Sequence, residues 1–273
     1  MTWFEAIVLG VVQGLTEFLP ISSSAHVLVI SRLLGWSDPG AAFTAVMQIG
    51  TELAVIAYFR REIARIISTW ARSLVRPALR SSLDARMGWY VIVGTIPIVV
   101  LGVVFADQIE TVARNLWLVA GTLIGFGIIL GMADLWGSRR KSLDTLRFGD
   151  SVLLGLGQAL ALIPGVSRSG ATISVGLMRG YSREAATRYA FLLAIPAVLG
   201  SGIYEARKIG GDASPPWLET IVATVIAFII GYLVIAWLLR YLATRSFMPF
   251  VIYRIGFGLV IIALLAIGVI PAT

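Results

Sequence analysis

The stretch of sequence that decides the fold is residues 13–26, which read QGLTEFLPISSSAH and interrupt an otherwise apolar segment. A second polar stretch, residues 164–172, reads PGVSRSGAT and lies in a similar apolar setting. A carboxylate (Glu17), an arginine (Arg168) and the only histidine (His26) therefore stand where lipid-soluble sequence is expected. Burying such a charged group in a bilayer costs about 2.5–3.5 kcal/mol on insertion scales. We expect the two stretches to be two halves of one site, where these groups meet each other, water or a charged ligand.

Composition places the chain among polytopic membrane proteins. Of its 273 residues, 58% are hydrophobic and only 14% are charged, with a mean hydropathy of +0.89, whereas soluble domains carry about 25% charged residues. One histidine and no cysteine exclude disulfides, a cysteine nucleophile and a multi-histidine metal site. The cations behind the net charge of +7 cluster in loops between apolar spans, which is typical of the positive-inside rule and argues against nucleic-acid binding. No Lys or Arg precedes Arg32, so we expect mature sequence at the N-terminus rather than a signal peptide.

An internal repeat divides the chain into halves of about 1–145 and 146–273, within a single integral membrane domain, 1–273. The matching pairs, which lie 144 to 146 positions apart, are Gly10 with Gly155, Gln13 with Gln158, Pro20 with Pro164, Ser23 with Ser167, Tyr58 with Tyr204 and Arg61 with Arg207. Each match is weak alone, but their common spacing predicts a duplication.

Each half contains one broken apolar segment followed by three full spans. The broken segments are about 3–34 and 151–179, and the spans are about 42–59, 88–105, 116–136, 185–204, 218–239 and 249–270. The spans have the length of about 20 residues that crosses a bilayer as a helix.

The broken segments are predicted to be re-entrant hairpins. Pro20 and Pro164 remove a backbone donor in mid-segment, and the serines and glycines that follow compete for helical hydrogen bonds. Irregular backbone is tolerated at membrane depth only where protein or a water-filled cavity surrounds it. The predicted fold is therefore an all-α polytopic membrane protein with one re-entrant helix-loop-helix hairpin and three transmembrane helices in each half.

Charge in the loops predicts the orientation. The loop after the first full span is strongly basic, with Arg60, Arg61, Arg65, Arg72, Arg76, Arg80 and Arg86, and should face the cytoplasm. Three crossings per half make the second half inverted relative to the first. The first hairpin then enters from outside and the second from the cytoplasm. Their tips should meet near the midplane, where Glu17, Ser22, Ser23 and His26 lie opposite Ser167, Arg168 and Ser169.

The second tip has the features of an anion site. Gly165 and Gly170 permit a tight loop around Arg168. The N–H groups at the start of the following half-helix, the fork of Arg168 and the hydroxyls of Ser167, Ser169 and Thr172 are donors that suit phosphate. The alternative is a hydroxyl-rich turn in which Arg168 pairs with a carboxylate such as Glu17.

The first tip carries groups suited to acid–base or nucleophilic chemistry. Ser23 and His26 are three residues apart and share a helical face, so the histidine could activate the serine as a nucleophile. Glu17 could orient the histidine, act as a base or hold a divalent cation. The alternatives are a histidine that merely has its hydrogen bonds satisfied inside the bundle, and cap roles for Ser22 and Ser24.

Two charged residues within full spans are less decisive. Glu52 needs a buried partner, and a structural ion pair and a role in the site are equally compatible with its position. Arg254 lies one turn into the last span, where we expect its side chain to reach back to the membrane surface.

The two polar stretches resemble the signatures of the undecaprenyl-diphosphate phosphatase family, also called bacitracin-resistance proteins. The first signature, (Glu/Gln)-x-x-x-Glu followed by Ser-Ser-x-x-His, is matched by Gln13, Glu17, Ser22, Ser23 and His26. The second, Pro-Gly-x-Ser-Arg-Ser-x-x-Thr, is matched by Pro164, Gly165, Ser167, Arg168, Ser169 and Thr172. The segment with Gln48 and Thr51 also looks like a family segment. In two departures from the pattern, Gln13 stands where some members carry a second glutamate, and Ala25 where glycine is more usual.

The resemblance implies a membrane hydrolase that converts undecaprenyl diphosphate and water into undecaprenyl phosphate and inorganic phosphate. This reaction recycles the lipid carrier of peptidoglycan synthesis, supports cell-wall biogenesis and cell shape, and confers bacitracin resistance. The implied cofactor is a divalent cation, Mg²⁺ or Ca²⁺, with Glu17 as a ligand. The implied location is the bacterial plasma membrane with the site facing outward, and a homodimer is compatible with the resemblance.

The resemblance also implies roles for individual residues. Glu17, Ser23, His26 and Arg168 would be catalytic, with Ser23 attack assisted by His26 favoured over attack by His26 or by a metal-bound water. Ser22, Gly165, Ser167, Arg168, Ser169 and Thr172 would bind the diphosphate, and Gln13, Gln48 and Thr51 would support the site.

Two rival functions differ in what they require. Membrane acid phosphatases with two catalytic histidines could perform the same reaction, but this chain has one histidine. A flippase of undecaprenyl phosphate is the alternative from another class, because inverted repeats with broken helices are typical of transporters.

Overall fold

The computed structural model describes residues 1–105, 108, 115–209 and 216–272, and these ranges fold into α-helices with short connections. The eleven helices of the described part are α1 Trp3–Thr16, α2 Ser23–Leu33, α3 Gly40–Tyr58, α4 Arg60–Val75, α5 Leu83–Val104, α6 Leu116–Trp136, α7 Phe148–Ala159, α8 Arg168–Met178, α9 Arg183–Glu205, α10 Trp217–Leu242 and α11 Met248–Ala266. A 3₁₀ turn, Leu160–Leu162, follows α7. The all-helical class predicted from the sequence is confirmed.

Among the described residues, six helices are long and apolar enough to cross a membrane: α3, α5, α6, α9 with its 3₁₀ extension to Lys208, α10 and α11. They coincide with the six spans expected from hydropathy. Pro97 and Pro196 lie inside α5 and α9 without ending them.

The two broken segments have the same local structure. In the first, α1 and α2 are separated by a turn over residues 17–22, and in the second, α7 and α8 are separated by the 3₁₀ turn and residues 163–167. Both α2 and α8 contain 11 residues. The residues that precede them, Ser22 and Ser167, have nearly the same positive φ, 71° and 70°. The backbone therefore aligns Ser167 with Ser22, one position before the Ser23 chosen from the sequence.

Each half packs its broken segment against a helix of the other half. Helix α1 packs against α10, and its counterpart α7 packs against α5. Glycines allow the close approach: a Cβ on Gly10 would lie 2.7 Å from the Ala223 carbonyl oxygen, and one on Gly155 would lie 2.1 Å from that of Gly94. These two glycines, which are matched in the predicted repeat, thus allow both broken segments to pack tightly inside the bundle.

The basic loop predicted after the first span is instead a helix, α4. Its apolar residues Ile63, Ile66 and Trp70 recur at helical spacing, Ser73 continues the same face, and Ile66 and Ser73 are buried. Helix α4 packs on α5. The high density of arginines concealed this amphipathic pattern in a reading based on hydropathy alone.

Candidate active site

The two predicted half-sites meet at a buried ion pair. Glu17 caps the C-terminus of α1 and Arg168 is the first residue of α8. The Arg168 Nη2 group donates to Glu17 Oε1, and the two side chains are only 16% and 6% exposed. The pairing considered as an alternative from the sequence is therefore present, and it joins residues 151 positions apart.

The second oxygen of Glu17 has two further donors. The Ser23 hydroxyl donates to Glu17 Oε2 at 2.5 Å, and Gln13 Nε2 donates to the same oxygen at 2.7 Å. Gln13 and Glu17 are four residues apart along α1 and its cap, which places them on one face. Glu17 thus collects an arginine, a serine and an amide from three different segments.

The contacts of His26 differ from the Ser23–His26 pair expected from their spacing. Its Nδ1 lies 2.7 Å from the Ser22 carbonyl oxygen, and its Nε2 lies 2.7 Å from the Tyr253 hydroxyl. Because a carbonyl oxygen only accepts, a neutral His26 carries its proton on Nδ1 and accepts from Tyr253 at Nε2. The ring also stacks on Phe257 with a centroid distance of 4.4 Å. Within the described residues, no hydrogen bond joins Ser23 to His26.

Hydroxyls gather at the N-terminus of α8. Ser167 Oγ accepts from the Gly170 N–H at 3.2 Å and lies 3.2 Å from Ser169 Oγ. Ser169 Oγ donates weakly to the carbonyl oxygens of Glu17 and Leu19, at 3.4 and 3.3 Å. The N–H groups of this helix end, beside the Arg168 guanidinium, form a positive surface suited to an oxyanion.

The first turn repeats part of this pattern, since Ser22 Oγ lies 3.2 Å from Ser24 Oγ. Ser22 has no side-chain cap hydrogen bond and is buried. It contributes its carbonyl to His26 and its unusual backbone to the turn.

Two residues of the second signature shape the turn rather than face the site. Thr172 Oγ1 donates back to the Arg168 carbonyl at 2.9 Å. Gly165 has a φ of 83°, and a Cβ there would lie 2.2 Å from Thr122 Oγ1. Glycine is therefore required at this position by both conformation and space.

Helix α3 contributes an acidic group to the site. The Thr51 hydroxyl donates to the Gln48 carbonyl, and neither of these side chains hydrogen-bonds to Glu17 or Arg168 within the described residues. Glu52, in contrast, is 1% exposed and interacts electrostatically with both Arg168 and Glu17. Glu52 Oε1 and Gln13 Oε1 are buried acceptors for which the described residues provide no donor.

Arg254 is fully buried, so the expectation that it reaches the membrane surface is wrong. Its guanidinium donates to the carbonyl oxygens of Pro20 at 3.0 Å, Gly165 at 3.0 Å, Val166 at 2.9 Å and Leu123 at 3.2 Å. These acceptors belong to both turns and to α6. Arg254 therefore fastens the two turns together and places a second cation behind the site.

An apolar groove of about 840 Å³ lies next to the site. It is formed by the end of α1 and its turn, α10 and α11, and is lined by Leu15, Thr16, Leu19, Ile21, Ile230, Leu233, Val234, Trp237, Pro249, Phe250 and Tyr253. Tyr253 lines the groove and also donates a hydrogen bond to His26, so the groove lies next to the histidine of the site.

A bundle of apolar helices that buries an arginine, carboxylates and hydroxyls at the meeting point of two interrupted segments is typical of polytopic membrane proteins with a polar site inside the bundle. The chain is a member of the family described as bacitracin resistance protein BacA, whose family model matches residues 6–260.

Relatives in three bacteria are similar over nearly their whole length. The chain is 57% identical over 271 residues to the undecaprenyl-diphosphatase of a Nocardioides species, with 99% of each chain covered. It is 59% identical over 281 residues to undecaprenyl-diphosphatase 2 of Frankia casuarinae, with 98% of this chain and 96% of the relative covered. It is 56% identical over 279 residues to the undecaprenyl-diphosphatase of Renibacterium salmoninarum, with coverage of 100% and 99%.

Proposed function

We propose that this protein is a membrane phosphatase that hydrolyses undecaprenyl diphosphate to undecaprenyl phosphate and inorganic phosphate. The observation that carries the proposal is the buried carboxylate of Glu17, which binds Arg168 with one oxygen and the Ser23 hydroxyl with the other. This arrangement pairs an anion-binding cation with a potential nucleophile and its base. The names of the relatives support the choice of substrate.

The two ends of the substrate bind in different places, the diphosphate at the polar residues and the first prenyl carbons in the apolar groove. The diphosphate binds at the N-terminus of α8, where it displaces Glu17 from Arg168 and takes hydrogen bonds from the guanidinium and the hydroxyls of Ser167 and Ser169. The prenyl carbons nearest the diphosphate lie in the apolar groove beside Tyr253, and the rest of the chain stays in the lipid.

Ser23 is the proposed nucleophile. Once Arg168 binds the phosphate, Glu17 loses its positive partner and becomes a stronger base for the Ser23 hydroxyl, which already donates to it at 2.5 Å. A bond forms between Ser23 Oγ and the terminal phosphorus, the serine proton passes to Glu17, and the bond from that phosphorus to the bridging oxygen breaks. The negative charge of the departing undecaprenyl phosphate is stabilised by Arg168 and the helix end.

Water completes the cycle by attacking the phosphoserine. Glu17 returns its proton to Ser23 Oγ as the phosphate leaves, and His26 Nε2 takes the proton that the water loses and then releases it to the departing phosphate. In the structure the Nε2 lone pair accepts from the Tyr253 hydroxyl, so the water's proton reaches it through that hydroxyl, which passes its own proton to Nε2 and takes the proton of the water.

A divalent cation, Mg²⁺ or Ca²⁺, fits the oxygen donors of the site. Glu52 and the unpaired Gln13 Oε1 would hold it beside Glu17, whose carboxylate stays available to the Ser23 hydroxyl, and both ions prefer such oxygen ligands. The described residues contain no group of three or more His, Cys, Asp or Glu suited to a metal, so substrate oxygens and water would complete the coordination. When bound, the ion would offset the charge of the diphosphate.

The proposed architecture is one domain with two inverted repeats and two re-entrant hairpins. The exchanged packing of α1 on α10 and α7 on α5 supports it. The basic charge of α4 supports a cytoplasmic location for the end of α3, and the start of α3 and the ends of the first hairpin are then proposed to lie outside. The site then opens outward, where the product re-enters the carrier cycle of peptidoglycan synthesis. Bacitracin resistance follows from removal of the lipid diphosphate.

The test is phosphate release by purified protein in detergent, with undecaprenyl diphosphate and Mg²⁺ or Ca²⁺. We expect Arg168→Ala, Ser23→Ala and His26→Ala to lose activity. Ser24→Ala is the matched control, because Ser24 is the exposed neighbour of the proposed nucleophile. Binding of the lipid without turnover at any cation concentration would refute the proposal.

Trapping of the phosphoenzyme identifies the nucleophile. A covalent phosphate on Ser23 resists acid and is lost in alkali, whereas one on His26 behaves in the opposite way. A metal-bound water as the nucleophile would leave no labelled protein.

A flippase of undecaprenyl phosphate is the second candidate. The exchanged packing of the two broken segments favours it, because such repeats are typical of transporters. Movement of labelled undecaprenyl phosphate from one leaflet to the other in vesicles that contain the protein would support it. An Arg168→Ala variant that loses hydrolysis but keeps this movement would separate the two activities.

A further inference from the structure

Helix α4 buries only a narrow face against the bundle. Ile66 and Ser73 are buried, and the Trp70 ring lies against Gly88 and stacks edge-on with Trp89 at a centroid distance of 5.6 Å. The contact therefore fixes one side of the helix and leaves most of its surface uncovered.

The contacts of α4 lie at the ends of three spans. It begins directly after α3, and Arg65 pairs at 2.8 Å with Asp84 in the first turn of α5. Glu62 pairs at 2.7 Å with Arg188 in the second turn of α9. With 16 residues, α4 is about 24 Å long. A helix of this length that touches the ends of three spans lies across one end of the bundle.

The uncovered surface of α4 is divided by polarity. Arg61, Arg65 and Arg72 are exposed and recur at intervals of 4 and 7, which places them on one face of α4, and the exposed Arg76 follows at the C-terminal cap of the helix. We call these four residues the basic stripe. Only Arg65 has a carboxylate partner in the part of the chain that the structure describes. On another side, between the stripe and the bundle, Ile67 and Leu74 are 57% and 49% exposed.

We propose that α4 lies in the interface of the bilayer and that its basic stripe binds the headgroups of acidic phospholipids. Charge complementarity favours this ligand. The arginines of the stripe would lie at the depth of the lipid headgroups, and the cytoplasmic leaflet presents anionic phosphates at that depth. Ile67 and Leu74 enter the acyl region beside the headgroups, as in other amphipathic interfacial helices. This surface is separate from the proposed catalytic site.

The absence of cysteine in the chain allows the position of α4 to be measured directly. Nitroxide labels are placed on Ile67→Cys and Arg72→Cys in protein reconstituted in bilayer discs. We expect the label at 67 to collide mainly with lipid-soluble oxygen and the label at 72 mainly with a water-soluble nickel chelate. Labels that are both in water would overturn the interfacial position.

Lipid preference is measured with spin-labelled phosphatidylglycerol and phosphatidylcholine. In the test variant, all four stripe arginines are changed to glutamine, and we expect the preference for phosphatidylglycerol to fall about fivefold or more, since each arginine near the surface contributes strongly to such binding. The control carries Arg139→Gln, Arg140→Gln, Arg240→Gln and Arg245→Gln, which removes the same charge from four exposed arginines elsewhere. An equal fall in both variants, or no preference in the unaltered protein, would overturn the proposal.

Discussion

Tyr253 and His26 form the most specific side-chain contact across the two halves. Their hydrogen bond and the stacking on Phe257 hold the imidazole in one orientation. The Ser22 carbonyl on the other nitrogen sets the tautomer. These contacts fix the orientation of the imidazole, with Nε2 directed to Tyr253, a residue of the groove.

Tyr253→Phe should keep the stacking and remove the donor to Nε2. A hydrogen bond of about 1–1.5 kcal/mol corresponds to roughly a tenfold change in rate, so we expect phosphate release to slow by about that factor. Because the chain has one histidine, ¹⁵N NMR of histidine-labelled protein reports His26 alone, and the Nε2 resonance should move toward that of an unbonded nitrogen.

Tyr241→Phe is the control for this change, because Tyr241 stacks on Trp237 in the same aromatic region but does not contact the histidine. An unchanged His26 spectrum in Tyr253→Phe would contradict the assigned hydrogen bond.

Arg254 should matter for stability as well as for the site. Arg254→Met would leave carbonyl oxygens of both turns without their donor, at a cost of about 1–3 kcal/mol for each group that stays buried and unpaired. We expect a lower unfolding temperature in detergent and a loss of phosphate release. Arg254→Lys should recover part of both, because it keeps the charge but not the fork. Equal stability of Arg254→Met and the unaltered protein would show that the turns do not depend on this contact.

The residue scale also shows what sequence could not predict. Glu17 and Arg168 could be paired in advance because both are polar groups at membrane depth that need a partner. The partner of His26 could not, since Ser23 and Tyr253 are both compatible with its position and only side-chain geometry selects the tyrosine, 227 residues away. The prediction that Arg254 reaches the membrane surface was wrong, because its position near the start of a span does not reveal whether its side chain points to that surface or into the bundle.

At the scale of elements, glycines set how closely the broken segments approach the spans. Gly10→Ala and Gly155→Ala would each push a Cβ into the backbone of the facing helix, and backbone cannot yield as a flexible side chain can. We expect each variant to lose about 1–3 kcal/mol of stability through overpacking. Thermal unfolding in detergent measures this loss.

Gly121→Ala is the matched control, because a Cβ at this position in α6 would meet nothing within 4 Å. Its effect should be neutral or stabilising by up to about 1 kcal/mol, from helix propensity alone. Equal destabilisation of all three variants would mean that close approach is not the cause.

The spans were predictable because each is strongly apolar over about 20 residues. The predicted bounds differ from the observed helix bounds by only a few residues. Helix α4 was not predictable, because arginines lower the mean hydropathy of a segment whose pattern is helical. The sequence alignment of the two turns was wrong by one residue, because it paired Ser167 with Ser23 rather than Ser22. Three consecutive serines, residues 22–24, offer no distinction in sequence, and only the positive φ of Ser22 identifies the equivalent of Ser167.

At the scale of the whole molecule, the proposed inverted repeat predicts which side of the membrane the ends of each broken segment face. If each broken segment is a re-entrant hairpin, both ends of one hairpin face the same side, and the two hairpins face opposite sides. Phe4 and Leu34 mark the ends of the first, and Phe148 and Met178 mark those of the second. All four are exposed, at 66%, 53%, 58% and 55%.

Single-cysteine variants at these four positions test the topology in a chain that has no other thiol. We expect cysteines at Phe4 and Leu34 to react with an impermeant maleimide in intact bacteria, and those at Phe148 and Met178 to react only after the membrane is opened. Labelling of Phe4 and Leu34 from opposite sides would make the first segment a full crossing. The two turns would then no longer reach each other from opposite faces, and the outward-facing site would lose its basis.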